Sequence, residues 1–481
     1  MTGFEPATSS TTNWRSNLLS YTRQKKLVKP NFKVLVCKTE KWVNALQQIF
    51  YLYSARKCRF FCLKEVFKRF ALMIGVGCKA WVAPLESNRK VYIMLNASAQ
   101  NLGTESAFGV LARAGALSAA GKDIINLGIG QPDFRTPEHI VEAGIKALQD
   151  GAHGYTPSMG LMSLRETVAN DAFQRYGVRP DVSRIQIVPG GKPVMFTAMM
   201  LLGGPGHEIL TPDPGFPIYQ SAINYSGATS VSYGLVEEKG FAFDADDVLS
   251  KITDKTSLVI VNSPANPTGG ITPRAEMDKF VKGLADFPHV TIMSDEIYDR
   301  LVFDTQPLSL LSYPEIQDRL IVLNGWSKTY AMTGWRIGYG IWPERLIDFA
   351  DRLAVNFHSC VNAPTQHAAE AALKGDQSCV DDMLTAFRRR GSLITGLLND
   401  IDGIRCQAPG GAFYVFANIS DTAFTSHQFQ DTALEEYGVA CISGTSFGGF
   451  GEGYVRLSCA NSDEAISEAI ERLKKMVSAR A

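Results

Sequence analysis

The segment Asn324-Gly-Trp-Ser-Lys-Thr-Tyr-Ala-Met-Thr-Gly-Trp-Arg336 places a lysine directly after a short run with buried-strand character, Leu320 to Asn324. A lysine held in such a pocket gives up its proton more readily and becomes a nucleophile able to form a Schiff base. Ser327 beside Lys328 can donate a hydrogen bond, and Arg336, eight residues further on, can fork onto a phosphate. On spacing alone a surface Lys–Arg pair accounts for the same residues equally well.

Three other segments carry similar promise. Ser294-Asp-Glu-Ile-Tyr298 ends a strand-like run, and parallel sheets place ligands at the carboxyl ends of their strands. There Asp295 could hold a proton on a pyridinium nitrogen and Tyr298 could donate to a phenolate oxygen; an Asp that caps the next helix is the competing reading. Asn262-Ser-Pro-Ala-Asn-Pro-Thr-Gly-Gly270 reads as a rigid loop, with Asn266 extended ahead of Pro267 and its side chain presented outward. A turn without a ligand explains that loop as well. Pro189-Gly-Gly-Lys192 lies between a strand and a helix, where backbone N–H groups bind phosphate, but it matches neither the Walker pattern nor GxGxxG. Gly444-Thr-Ser-Phe-Gly448 fits the G-x-S-x-G nucleophile elbow. That fold needs a histidine after the serine, and the last one here is His427, so a serine hydrolase is set aside.

The elements that must position these residues alternate. Strands are expected at Ile124–Leu127, Ile185–Val188, Glu208–Thr211, Leu258–Asn262, Val290–Ser294, Leu320–Asn324 and Ile337–Ile341. Helices are expected over Pro137–Leu148, Leu164–Tyr176, from Gly191 to Leu202, and over Pro343–Arg352, Thr365–Lys374 and Val380–Leu398. Such alternation implies an α/β fold, a mostly parallel sheet with helices on both faces. The last hundred residues read as a smaller α+β unit, with strands at Ala412–Ala417 and Tyr454–Ser458 and a helix over Asp463–Val477.

The 481 residues are 45% hydrophobic and 20% charged, an ordinary globular balance long enough for two or three domains. The longest apolar stretch, Ala71 to Gly77, falls far short of the ~18 residues a membrane span requires, so no membrane association is expected. Net charge is zero but uneven: residues 1–93 hold 17 basic and 4 acidic residues, the remainder 31 and 44. That basic segment includes one apolar stretch, Trp42 to Tyr53, that could be a helix, and it lacks the two helices and glycine turn of a DNA-reading motif. It is read as an extension outside the fold; a targeting presequence and a nucleic-acid arm are the alternatives. Nine cysteines without a CxxC pair indicate free thiols in a cytoplasmic setting and no metal site.

As a set these motifs resemble the class I aminotransferases of pyridoxal-5′-phosphate (PLP) fold type I. The resemblance runs from about Asn101 to Lys475 through Gly128–Pro137, Tyr155–Gly160, Asn266–Gly269, Ser294–Tyr298, Ser327–Arg336 and Val455–Ser458. It implies a large PLP-binding domain with a mostly parallel sheet and a smaller α+β domain. The expected boundaries are 1–93 for the extension, 94–140 for an N-terminal arm and part of the small domain, 141–375 for the large domain and 376–481 for the rest of the small one. It implies an enzyme that moves an amino group from an α-amino acid to a 2-oxo acid in a ping-pong sequence. Lys328 would carry the cofactor, Asp295 would keep its ring nitrogen protonated, and Asn266 and Tyr298 would contact its phenolic oxygen. Ser327, Arg336, Gly191 and Lys192 would hold the phosphate, Phe216 would stack on the ring, and Tyr155 would reach the phosphate of a neighbouring subunit in a homodimer. Arg456 would fork the substrate α-carboxylate, with Gly130 and Asn266 beside it, and Lys192 would meet a side-chain carboxylate, pointing to aspartate or glutamate. The Met332–Arg336 segment has the transaminase form and not the Ala-Gly-Leu-Arg of related carbon–sulfur lyases. A transcription regulator with a fused aminotransferase-like domain is the remaining alternative.

Overall fold

The computed structural model describes residues 96–480; the expectations for residues 1–93, the helix at Trp42–Tyr53 and the four early cysteines among them, lie outside the described residues. The strands are β1 (Ile125–Asn126), β2 (Ile185–Val188), β3 (Glu208–Asp213), β4 (Thr229–Gly234), β5 (Thr256–Asn262), β6 (Thr291–Asp295), β7 (Leu320–Gly325), β8 (Gly338–Ile341), β9 (Tyr414–Asn418), β10 (Val439–Ala440), β11 (Ile442–Ser443) and β12 (Tyr454–Ser458). Around them pack α1 (Ser106–Ala119), α2 (Glu138–Gln149), α3 (Met162–Tyr176), α4 (Lys192–Leu202), α5 (Pro217–Ser226), α6 (Ala245–Ser250), α7 (Arg274–Gly283), α8 (Glu344–Phe357), α9 (Ala363–Lys374), α10 (Ser378–Asn399), α11 (Ser426–Glu435) and α12 (Asp463–Ser478).

Seven strands form the main sheet in the order β2-β8-β7-β6-β5-β3-β4. β4, β3, β5, β6 and β7 run parallel, and β8 runs against both its neighbours. The centre of the sheet is buried on both faces, which is why its strands read as near-continuous Val, Ile and Leu. Successive residues face opposite layers. Leu210, Val259, Val261, Ile292 and Val322 join one core, whereas Ile209, Leu258, Ile260, Met293 and Ile321 join the other.

A third core holds the antiparallel trio β11-β12-β9 against α10 and α12, with Val415, Val455, Leu457, Phe387 and Leu473 inside it. The short β1 pairs in parallel with β10. The serine-containing Gly444–Phe447 segment is a short 3-10 turn between β11 and β12, so the strand–turn–helix of a nucleophile elbow is absent there.

Register places the chemistry. Asn262 at the end of β5 lies beside Asp295 at the end of β6, and Asp295 lies beside Leu323 near the end of β7. The carboxyl ends of three central strands therefore open onto one crevice, the position where open α/β sheets bind ligands. The chain crowds there: a Cβ on Gly338 would sit 3.0 Å from Asn324 O and from the Gly190 carbonyl carbon.

Candidate active site

A cavity of about 770 Å³ occupies this crevice. Lys328, Asp295, Asn266, Arg336, Arg456 and Phe216 all line it, as do Gly130, Tyr298, Ser327 and the pair Gly191–Lys192. All eleven residues expected from the motifs besides Tyr155 thus border the same space.

Lys328 follows β7, and its Nζ donates to the Gly130 carbonyl at 2.5 Å. Burial pushes its ammonium down to about 8, the charges of Arg456, Arg336 and Lys192 act in the same direction, and Glu105 opposes them. The ammonium therefore gives up its proton far more readily than an ordinary lysine, and a substantial share of the free, nucleophilic amine forms near pH 8. Asp295, at the end of β6, is 2% exposed. Its Oδ2 accepts from Tyr219 OH at 2.5 Å and its Oδ1 from the Ile297 amide at 3.2 Å. Burial raises its carboxyl to about 6 against those two hydrogen bonds and the Lys328 charge. Among the described residues no cation lies within 4 Å of it, so this buried anion keeps room for a positive partner.

The Asn266 loop is tied to the sheet by Asn262, whose Nδ2 donates to Asp295 O and whose Oδ1 accepts from the Asn266 amide. Asn266 Oδ1 accepts from Arg456 Nη1 at 2.9 Å, and Arg456 Nη2 donates to Gly128 O at 2.6 Å. The guanidinium, on β12, lies 4.5 and 4.8 Å from the ring centroids of Tyr414 and Phe447, and among the described residues its buried Nε has no partner and no carboxylate pairs with it. An arginine so placed presents a fork to an anion. Tyr298 OH shares a hydrogen bond with Tyr414 OH at 2.9 Å, and burial raises its phenol.

Elsewhere on the cavity wall the chain turns from β2 into α4 through Gly190 and Gly191. Gly190 has φ +83°, and a Cβ there would lie 2.1 Å from Arg336 Nη2. Glycine is required on both counts. Arg336 itself sits in the left-handed region at φ +55° and donates to Thr333 O at 2.8 Å. Strain of that kind in a non-glycine residue persists where surroundings demand it, here to aim a guanidinium at a helix start. The first N–H groups of α4, Arg336 and Ser327 together suit a phosphate. Phe216 caps α5 and meets Tyr219 edge-on at 5.7 Å between ring centroids.

Tyr155, expected to act in a neighbouring subunit, is 94% exposed and does not border its own chain's cavity. One sequence expectation meets a different geometry: Lys192 does not offer a free ammonium, because its Nζ is bound to Glu105 Oε2 at 2.8 Å. Sequence reasoning also missed Tyr219, Tyr414, Asn262 and Glu105. Tyr219 had a usable signal, three residues after Phe216 in the first turn of a Pro-started helix; the others are placed only by tertiary packing.

The family model described as aminotransferase class I and II matches residues 122–473. An aspartate aminotransferase of Pyrococcus abyssi is 35% identical over 368 residues, 75% of this chain and 93% of that protein. An aromatic-amino-acid aminotransferase of Thermococcus litoralis is 35% identical over 361 residues, 74% of this chain and 92% of that protein. The crystal structure of the aspartate aminotransferase from Rhizobium meliloti superposes with a TM-score of 0.77 at 31% identity, over 81% of this chain and all of that one. The chain has the fold type I architecture, and it belongs to the class I and II aminotransferases, enzymes that move an amino group between an amino acid and a 2-oxo acid.

Proposed function

We propose that the cavity holds PLP and that the motif residues act on it and on the substrate in the roles their positions suit. The observation that carries this reading is one cavity lined by a buried carboxylate, Asp295, with no ion-pair partner among the described residues, by the arginine Arg336 and a helix start, and by the amine of Lys328. An aromatic cation with an anionic tail complements that charge pattern. The bound cofactor would supply an electron sink for the substrate α-carbon.

Asp295 holds the proton at the ring nitrogen, and Tyr219 keeps the carboxylate oriented toward it. Arg336, Ser327 and the amides of Gly191 and Lys192 bind the phosphate; Phe216 packs on the ring. Asn266 and Tyr298 serve the phenolic oxygen. Lys328 is the nucleophilic amine that anchors the cofactor and then moves the proton at the substrate α-carbon. Arg456, steadied by Asn266 and the Gly128 carbonyl, forks the substrate α-carboxylate beside Gly130. Amino acid and oxo acid share that carboxylate, so one site serves them in turn, in a ping-pong sequence. The amino donor is proposed to include aspartate or glutamate, a reading supported by the names of two relatives.

A homodimer is proposed, with the partner's Tyr155 completing the phosphate site; its nearly complete exposure in the single chain supports this. A cytoplasmic setting accords with the free Cys360, Cys379, Cys406, Cys441 and Cys459. Borohydride reduction of the protein with PLP, followed by peptide mapping, tests the central assignment. The label is expected on Lys328 and absent from Lys328→Ala. Label on another lysine overturns it.

A further inference from the structure

Glu105 lies just ahead of α1 and is that helix's N-cap, yet its side chain makes no cap hydrogen bond. It turns instead into the cavity wall and binds Lys192, across 87 residues of sequence. The Lys192 ammonium lies 5.6 Å from the ring centroids of both Phe108 and Phe216. Two aromatic rings thus flank a closed ion pair, and Ala107 and Met195 add further apolar wall. The Glu105 charge also reaches the reacting end of the cavity, where it acts on the Lys328 ammonium.

The wall facing a substrate side chain is therefore neutral as a unit. A substrate carboxylate that approaches Lys192 meets the Glu105 carboxylate already there, and whatever attraction it gains from the ammonium is offset by repulsion. An apolar side chain meets two rings and a satisfied pair. We infer that Glu105 determines substrate specificity: by closing the ion pair with Lys192 it makes the wall charge-neutral, so that the enzyme accepts acidic and neutral amino acids alike. This rests on the cofactor reading above and deepens it by assigning the charge preference to one residue.

The inference orders four proteins by the net charge of the pair: Glu105→Gln at +1, wild type and the Glu105→Gln/Lys192→Met double variant at zero, and Lys192→Met at −1. The quantity to measure is the ratio of kcat/KM for aspartate to that for phenylalanine, from single half-reactions of the PLP-loaded enzyme followed by cofactor absorbance. A hydrogen bond to a charged group is worth up to about a hundredfold, and half-exposure of Lys192 calls for the lower end. Glu105→Gln should raise the ratio by about tenfold or more, and Lys192→Met should lower it by a similar factor. The double variant should return to within about threefold of wild type, and added salt should compress the differences between the charged variants. A conservative Glu105→Asp should retain the wild-type ratio more closely than Glu105→Gln. A ratio that stays flat across the four proteins, or a double variant that keeps the Glu105→Gln ratio, overturns the inference. Circular dichroism and cofactor content establish that each variant is folded and loaded. Loss of every half-reaction in the wild-type protein would instead count against the cofactor reading itself, so the two failures are distinguishable.

Discussion

Gly130→Ala adds one methyl group at a point where the structure has no space for it. The new Cβ would lie 2.1 Å from Tyr414 Oη and 3.1 Å from Tyr414 Cζ, against a normal carbon–oxygen contact of roughly 3.3 Å. Gly130 does not have a positive φ, so the backbone itself tolerates alanine and the hydroxyl is the whole obstacle. Tyr414 cannot swing freely: its OH is bonded to Tyr298, its ring lies under Arg456, and it is 1% exposed. Relief must come from the Gly130 backbone, whose carbonyl receives the Lys328 amine. Overpacking of this kind costs ~1–3 kcal/mol, and a shift of the Lys328 acceptor carries it into the reaction, giving a kcat/KM about 10- to 100-fold lower. Tyr414→Phe removes the obstructing oxygen at the cost of one hydrogen bond to Tyr298, about tenfold at most. In Gly130→Ala/Tyr414→Phe the nearest ring carbon is then 3.1 Å away, a contact small adjustments relieve. The double variant should therefore fall within about threefold of Tyr414→Phe alone, a strongly non-additive cycle. Half-reaction kinetics together with melting temperatures measure it. Additive losses, or a Gly130→Ala enzyme as active as wild type, would refute the steric argument.

Asp295→Asn should bind PLP yet lose several orders of magnitude in turnover, because an amide cannot hold the ring nitrogen protonated; a loss below about tenfold, ~1.4 kcal/mol, contradicts that role. Lys328, lowered by burial to about 8, is the charged ammonium below that value and the free amine above it. In cofactor-free protein its reaction with an amine-directed reagent should therefore rise with pH around a midpoint near 8, not near the ordinary 10.5, and an ordinary midpoint would show the cavity to be wetter than its walls imply.

Much of the architecture is legible in local sequence. The central strands are buried on both faces, so β5, β6 and β7 appear as short runs of Val, Ile and Leu, and each expected one matches an observed strand to within two residues at either end. The edge strand β4, Thr-Ser-Val-Ser-Tyr-Gly, and the helices α1, α5, α7 and α11 were not anticipated. β4 is mostly half-buried and polar at alternate positions, and α5 begins at a proline inside the apparent loop after Phe216. The mostly parallel order could be argued from alternation, but the reversal of β8 depends on the tight Gly325–Gly338 approach that brings Arg336 back against Gly190.

The same division holds in the site. Lys328, Asp295 and Asn266 follow strands, among glycines, prolines and small polar residues, and the local chain announces each of them. Which groups they touch is another matter. Tyr219 reaches Asp295 across 76 residues, Lys328 reaches the Gly130 carbonyl across 198, and Glu105 closes on Lys192 across 87. Periodicity and turn chemistry act over a few neighbouring residues and determine which elements form. Strand order, register and the packing of α1 against the cavity mouth decide which side chains meet, and with them the charge that each meeting cancels or leaves free.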